Sequence, residues 1–427
     1  MVHSKDFSSV LALGQTCAYA DLAHQQADRQ TSDPLLIDCA NGVGAPAAKT
    51  LNEFLGESLT LELKNTSIES TEKLNKDCGA DYVKVNQKLP PSLASELRSG
   101  QRGCSLDGDA DRLIYYYLDD GGKFRMLDGD KITTLVASFI MRLVRDAGLE
   151  DIQEKIKVGV VQTAYANGNS TTYLSEVRAP CGGLPMLIPM QRLPVTCVPT
   201  GVKHLHHAAA EKYDIGVYFE ANGHGTVLFS TSAQRKIAFH KPSTAAQATA
   251  LGRLKDVIDV INQTVGDALS DMLLVEVALY RMSYSAETWD KLYSDLPNRL
   301  VKVKVGDRNA FVTEDAERRL VRPFGLQAKI DELVQKTGGR SFVRPSGTED
   351  VVRVYAEARE TDAANGKRPA LCTHLTMNLV VQTLPSVSLD LYTMKRVETL
   401  RRDLRTLGDI ERQNVVVYFV RWECPHM

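Results

Sequence analysis

The sequence predicts a multidomain α/β protein: two mixed α/β units followed by a smaller α+β unit. Three observations carry this expectation. The 427 residues exceed what one hydrophobic core supports, so roughly two to four domains are expected. Short apolar runs of strand length alternate with stretches of helical period along most of the chain. After Leu296 the pattern changes to the tight alternation of "LPNRLVKVKV", which opens a unit of a different kind.

In chain order, a helix-like opening precedes "PLLIDCANGVGAPAAKTLNEFLG", which reads as a buried strand, a glycine-bearing turn and a helix. "LNKDCGADYVKVNQK" is expected to be a loop leading to another strand, and "RLIYYYLDDGGKF" a strand running into a hairpin turn at Asp119–Gly122. The amphipathic stretch "GDKITTLVASFIMRLVRDAG" predicts a long helix opening the second unit. There "KVGVVQTAYANGNSTTYL" reads as strand, loop and helix start, and "YDIGVYFEANGHGTVLF" as strand, glycine turn and strand. Between them "RAPCGGLPMLIPMQRLP" is rich in Pro, Gly and Met and reads as an inserted loop. A helix-forming stretch from Ala245 to Leu279 leads to the third unit, which closes with "RSFVRPSGTEDVVRVYAEA". The expected units are 1–128, 129–285 and 286–362, with a divergent tail over 363–427 and no internal sequence repeat.

Composition excludes several classes of function. Lys and Arg number 51 against 53 Asp and Glu, a net charge of -2 with both signs interspersed, so bulk charge recruits neither nucleic acid nor an anionic membrane. Eight scattered cysteines form no C-x-x-C pair and are expected to be free thiols of a reducing compartment. The apolar stretch near the start is broken by polar residues and lacks the positive flank of a signal peptide. No run reaches the 18 or so apolar residues of a membrane span, so a cytoplasmic protein is expected.

Three loops carry chemistry. "CSLDGDADRLIYYY" places Asp107, Asp109 and Asp111 at every second position. Two carboxylates about 4 Å apart repel by roughly 4 kcal/mol at an effective dielectric near 20, so the loop needs compensation, most simply by a cation. An EF-hand is excluded, because counting from Asp107 its glycine and glutamate positions hold Arg112 and Leu118. A haloacid-dehalogenase-type phosphatase fits weakly, since Gly103, Cys104 and Ser105 stand where an apolar strand is expected. Three monodentate oxygens on a short loop suit Mg²⁺, and a solvated acidic turn is the bland alternative.

The second loop, "FEANGHG", gives a tight reversal at Gly223 and Gly225, a carboxylate at Glu220 able to accept from adjacent sugar hydroxyls, and the donor–acceptor amide of Asn222. A plain Asn-Gly hairpin turn, with His224 merely packing, is its alternative. The third, "VRPSGTEDVVRV", offers hydroxyls, backbone N–H groups and the guanidinium forks of Arg344 and Arg353, a set suited to a phosphate ester. A Pro-Ser-Gly turn with surface arginines is the competing reading.

Together, in chain order, the D-G-D-A-D-R, E-x-N-G-H and R-P-S-G-T-E-D loops resemble the α-D-phosphohexomutase superfamily. The wording of "VVQTAYANGNSTTYL", "TGVKHLHH", "GVYFEANGHGT" and "FVRPSGTEDVVRVYAEA" is similar to its eukaryotic phosphoacetylglucosamine mutase branch, over roughly Leu35 to Glu360. The resemblance implies a phosphohexomutase-like arrangement of domains around a cleft, Mg²⁺ as cofactor and a small-molecule sugar phosphate as partner. It further implies interconversion of N-acetylglucosamine 6-phosphate and 1-phosphate, through a bisphosphorylated intermediate, in UDP-N-acetylglucosamine biosynthesis. On it, Asp107, Asp109 and Asp111 would hold the metal, and Glu220, Ala221 and Asn222 would contact the sugar. Arg344, Pro345, Ser346, Gly347, Thr348 and Arg353 would hold the non-reacting phosphate.

The sequence departs from that pattern in four places. No serine is followed by histidine, so the phosphorylatable serine of the family's T-A-S-H-N-P motif is absent; the nucleophile domain is expected to be missing and the catalytic residue is unassigned. Residues 179–193 read as an insertion, Pro199 stands where a lysine is expected, and the tail after about Thr361 does not match the family's closing helix. A non-catalytic sugar-phosphate binding protein derived from the family is therefore the alternative function, and Ser105, beside the aspartate loop, is the local serine that could substitute as nucleophile.

Overall fold

The computed structural model of the protein describes residues 33–56, 58–150, 155–176, 192–337 and 339–358. Most of the 179–193 insertion and the tail from 359 onward lie outside the described residues.

The first unit begins with β1 (Leu35–Asp38), buried at every position, as an apolar run flanked by parallel neighbours should be. Helix α1 (Gly44–Leu55) turns Ala45, Ala48, Leu51 and Leu55 to one side and returns the chain to β2 (Leu61–Lys64), parallel to β1. Helix α2 (Gly79–Asn86) crosses to the other side of β1, where β3 (Arg102–Leu106) also pairs in parallel. Strands β4 (Leu113–Leu118) and β5 (Phe124–Leu127) complete the sheet as antiparallel neighbours in the order β2-β1-β3-β4-β5. Helix α2 corrects the sequence reading of a loop leading to another strand. Ala80 and Val83, one turn apart, pack into a cluster with Leu36, Leu93, Ile114 and Tyr116, whereas Val85, which strand alternation would bury beside Val83's neighbours, is 78% exposed. Burial of one helical face overrides the β-propensity of "DYVKV".

The second unit opens with α3 (Gly129–Asp146), capped by Asp128, whose carboxylate accepts from the amides of Asp130 and Lys131. Strand β6 (Val158–Thr163), α4 (Gly168–Ser175), β7 (Val195–Val198), α5 (Val202–Lys212), β8 (Ile215–Phe219) and β9 (Gly225–Phe229) follow. Strand β6 is parallel to both β7 and β8, and β9 is antiparallel to β8, giving the order β7-β6-β8-β9. Helices α6 (Thr231–Phe239), α7 (Ala245–Val260), α8 (Ala268–Met282) and α9 (Ala286–Asp290) complete it. The stretch read as helix-forming from Ala245 to Leu279 is two helices, with Asp267 capping the second.

No repeat is visible in the sequence, yet the two sheets share one plan. In each, a central strand has two parallel neighbours, one of which continues through a tight hairpin into an antiparallel strand. The hairpin carries Asp107–Arg112 in the first sheet and Glu220–His224 in the second, so these loops occupy equivalent topological positions. One apolar core joins both units, running from Leu35 and Tyr115 through Phe139 of α3 to Val217, Met272 and Trp289. A buried polar link crosses it: Arg102 donates to both carboxylate oxygens of Glu276, which also accepts from Tyr115 Oη at 3.0 Å.

The third unit pairs β10 (Asn298–Lys304) with β14 (Val351–Glu357), and β14 with β13 (Arg340–Pro345), all antiparallel. Between them lie the hairpin of β11 (Val312–Glu314) and β12 (Arg319–Arg322) and helix α10 (Leu326–Thr337). Val343, Val352, Val354 and Ala356 form a separate core with Leu326 and Ile330 on one face of the sheet. The opposite face, with Arg340, Phe342 and Arg344 paired to Glu357, Tyr355 and Arg353, lies against the loop after β6. No helix of the described residues is long and apolar enough to cross a membrane.

Candidate functional site

The aspartate loop leaves the end of β3. Carboxylate oxygens of Asp107, Asp109 and Asp111 lie within 4.8 Å of one another. Asp107 is buried and accepts from the amides of Asp111 and Arg112 at 3.0 and 3.1 Å through one oxygen, while the other lies near the Arg112 guanidinium. Burial first, and then the neighbouring Asp111 carboxylate, push the Asp107 carboxyl up to about 7. Hard oxygen donors at this separation fit a divalent cation, which would remove that penalty. Arg112 holds the outer side: its Nη1 donates to both oxygens of Asp81 at 2.9 and 3.0 Å, and its Nε stands 3.5 Å from Asp107 and 3.6 Å from Asp111.

The loop at Glu220–His224 is joined directly to the aspartate loop. The Leu113 amide donates to the Gly223 carbonyl at 3.2 Å, Arg112 and His224 form an antiparallel bridge, and His224 Nδ1 lies 2.9 Å from Asp111 Oδ2. Gly223, at φ +89°, is required here because a Cβ would stand 2.1 Å from the Leu113 carbonyl. Gly129, at the start of α3, lets the Glu220 carbonyl approach to within 1.8 Å of where a Cβ would be. Asn222 Oδ1 accepts from the His224 amide at 3.1 Å, which orients its amide nitrogen away from the turn. Glu220, Ala221 and Asn222 are all partly accessible.

In the third loop, Arg344 and Arg353 are direct partners in the β13–β14 register. Arg344 Nη1 donates to both oxygens of Glu317 at 3.1 and 2.9 Å, and the same carboxylate accepts from the amide and hydroxyl of Thr200 at 2.9 and 2.6 Å. Asp315, Ala316 and Glu317 are consecutive left-handed residues, and this turn between β11 and β12 carries Glu317 toward the second unit. Ser346 is buried, with its amide donating to the Val351 carbonyl, while Gly347 and Thr348 are exposed; Pro345 ends β13.

The structure thus brings the first two predicted loops into contact and seats the third against the second unit. Sequence reasoning missed Arg112, Thr200 and Glu317, and treated the His224 ring only as possible packing. For Arg112 and His224 a signal existed in their adjacency to the aspartate and glycine motifs; for Glu317 and Thr200, 117 positions apart, there was none. Ser105 does not face the aspartate cluster. It is wholly buried on β3, donates to Asp38 Oδ2 at 2.8 Å and lies 3.1 Å from Tyr116 Oη, which removes it as a nucleophile. Among the described residues Cys39, Cys78, Cys104 and Cys197 are free thiols, as expected.

Comparison with known proteins gives matches to three family models: phosphoacetylglucosamine mutase AMG1 domain II over residues 4–114, domain III of the same over 128–284, and the phosphoglucomutase/phosphomannomutase C-terminal domain over 300–372. The chain is 50% identical to the phosphoacetylglucosamine mutase of Sus scrofa over 78% of its own length, and 48% identical to phosphoacetylglucosamine mutase 1 of Schizosaccharomyces pombe over 84%. It spans 57% and 65% of those relatives. Among solved structures, the Aspergillus fumigatus N-acetylphosphoglucosamine mutase in complex with GlcNAc-6P and magnesium matches with a TM-score of 0.77 and 45% identity, covering 87% of this chain and 69% of that one. An N-acetylglucosamine-phosphate mutase in its product complex matches with a TM-score of 0.78 and 44% identity, over 87% and 65%.

Proposed function

Since the chain belongs to the phosphoacetylglucosamine mutase family, we propose that it binds N-acetylglucosamine phosphates with Mg²⁺ and serves the interconversion of the 6-phosphate and 1-phosphate. The observation that carries this reading is the junction of the aspartate loop with the Glu220–His224 loop, because it presents a cation site and a polar-ligand site on one connected surface.

Asp107, Asp109 and Asp111 would hold the metal, which when bound neutralises charge on the phosphoryl group under transfer. Glu220 accepts from adjacent sugar hydroxyls. Asn222, its oxygen engaged by the turn, directs its amide nitrogen to the acetamido carbonyl. Arg344 and Arg353 receive the phosphate that does not react, with the Ser346, Gly347 and Thr348 loop closing over it. The surrounding loops orient the substrate, which is the larger part of catalysis in phosphoryl transfer.

The test is conversion of N-acetylglucosamine 6-phosphate followed by phosphorus NMR, with Mg²⁺ and a catalytic amount of sugar bisphosphate, beside calorimetric binding of the same ligand. Binding lost in both Glu220→Ala and Arg353→Ala is the expected result; binding unchanged in both would end the proposal. The alternative, a sugar-phosphate binding protein without turnover, is separated by the same assay. Binding without conversion would select it.

A further inference from the structure

Tyr165 lies in the loop after β6, yet its side chain packs on the third unit. Its ring stands edge-on to Phe342, with centroids 5.1 Å apart, and to Tyr355 at 5.9 Å. The next pair along the same sheet face is Arg344 and Arg353, and the Arg344 guanidinium sits over the Tyr165 ring, 5.6 Å from its centroid. Tyr165 Oη, Arg344 Nε and Arg353 Nε are all closed off from solvent, and none makes a well-directed hydrogen bond. Arg344 meets Glu317 only through Nη1, so the opposite side of its guanidinium is turned to this enclosed corner.

Two guanidinium groups side by side repel, and Glu317 answers Arg344 only through Nη1, so the Nε side of that guanidinium calls for a second support. An aromatic face attracts a cation through its quadrupole, and a phenol oxygen directs its lone pairs at neighbouring donors. We infer that Tyr165 is a positioning residue of the phosphate cradle: from the second unit, it holds the Arg344 guanidinium, beside Arg353, in the arrangement that receives a phosphate ester. The inference rests on the reading of the third loop as a phosphate cradle and adds that the cradle is completed by a residue outside it. Burial pushes the Tyr165 phenol up to about 12, against the pull of the Arg344 and Arg353 charges, so the hydroxyl stays neutral over the working pH range and adds no negative charge to compete with phosphate.

The experiment uses the full chain and calorimetry with N-acetylglucosamine 6-phosphate, inorganic phosphate and unphosphorylated N-acetylglucosamine, with Mn²⁺ binding as a separate readout. Tyr165→Leu is expected to weaken both phosphate-bearing ligands by about tenfold, and Tyr165→Phe, which keeps the ring, by no more than about threefold. N-acetylglucosamine and Mn²⁺ affinities should not move. In the Tyr165→Leu/Arg344→Ala double variant the loss should not exceed that of Arg344→Ala alone, because Tyr165 acts through the arginine. Unchanged phosphate affinity in Tyr165→Leu, additive losses in the double variant, or an equal loss of Mn²⁺ affinity would each overturn the inference. If Tyr165→Leu does not fold, Tyr165→Phe with the same ligands decides, since phosphate affinity falling further than about threefold contradicts the ring-based role. Failure of the underlying reading looks different: Arg344→Ala and Arg353→Ala would then both leave phosphate binding intact.

Discussion

Arg344 and Arg353 face each other directly across β13 and β14, two like charges in a position that normally disfavours strand pairing by a few tenths of a kcal/mol or more. Glu317 offsets the Arg344 charge in the ligand-free protein, and on the proposed assignment a phosphate offsets Arg353. Arg353→Ala should therefore leave the melting temperature of the ligand-free protein unchanged or slightly higher. The same change should weaken N-acetylglucosamine 6-phosphate binding by about 1.5–3 kcal/mol. Calorimetry beside a thermal melt checks both, and a variant that melts lower yet binds as well as the parent would place the arginine in a purely structural role.

Asp107→Asn separates the metal from the fold. Its side-chain oxygen can still accept from the amides of Asp111 and Arg112, but the buried negative charge is gone. In chelator at neutral pH the variant should melt at or above the parent. Saturating Mg²⁺ should raise the melting temperature of the parent, by mass action, and not that of the variant. A parent indifferent to Mg²⁺ would remove the cation from the site.

Asn222 is expected to set the preference for an N-acetylated sugar. Serine can replace the oxygen that accepts from the His224 amide but reaches less far and lacks the second donor. Asn222→Ser should narrow the ratio of affinities for N-acetylglucosamine 6-phosphate over glucose 6-phosphate. An unchanged ratio would put selectivity elsewhere.

The buried pair of Arg102 and Glu276 predicts a large stability effect far from the loops. Glu276→Ala removes the carboxylate that accepts from a guanidinium only 15% accessible, and with it the nearer acceptor of Tyr115 Oη, so it should cost about 3–5 kcal/mol. Denaturant unfolding would show it, and a change under about 1 kcal/mol would mean that water reaches the arginine.

Asp271 on α8 predicts a pH dependence. It is buried with neither carboxylate oxygen hydrogen-bonded, and burial, then the Asp267 carboxylate, hold its carboxyl well above the ordinary 3.8. A carboxyl whose folded value is raised binds its proton more tightly when folded, so its stabilising contribution is complete below about 3.8 and declines as pH rises toward the folded value. Melting temperatures of the parent should fall more steeply between pH 5 and pH 8 than those of Asp271→Asn. Parallel curves would show that Asp271 has found a partner.

Much of this was legible in the chain. Strands such as Leu35–Asp38 and Leu113–Leu118 announce themselves as apolar runs, and all three candidate loops stand out because each concentrates its polar side chains within a few consecutive residues. What could not be read is whatever depends on residues meeting from distant places. The Glu317 contacts to Thr200 and Arg344 and the packing of Tyr165 on β13 and β14 follow from how two units dock, and no local pattern encodes that. Helix α2 was misread for a related reason: "DYVKV" favours a strand by local propensity, and only the hydrophobic cluster supplied by Leu36, Ile114 and Tyr116 selects the helical face. The shared plan of the two sheets was invisible because topology can repeat where sequence does not.

The contact of His224 with Asp111 has a thermodynamic corollary. On the proposed assignment, ordering either hairpin would order part of the other, so the cation and the sugar would be heterotropic ligands of one another. Their coupling free energy belongs to the pair: whatever factor Mg²⁺ confers on sugar-phosphate affinity, the sugar phosphate must confer on Mg²⁺. Neither dissociation constant is then a property of its own loop, and each has meaning only at a stated concentration of the other ligand.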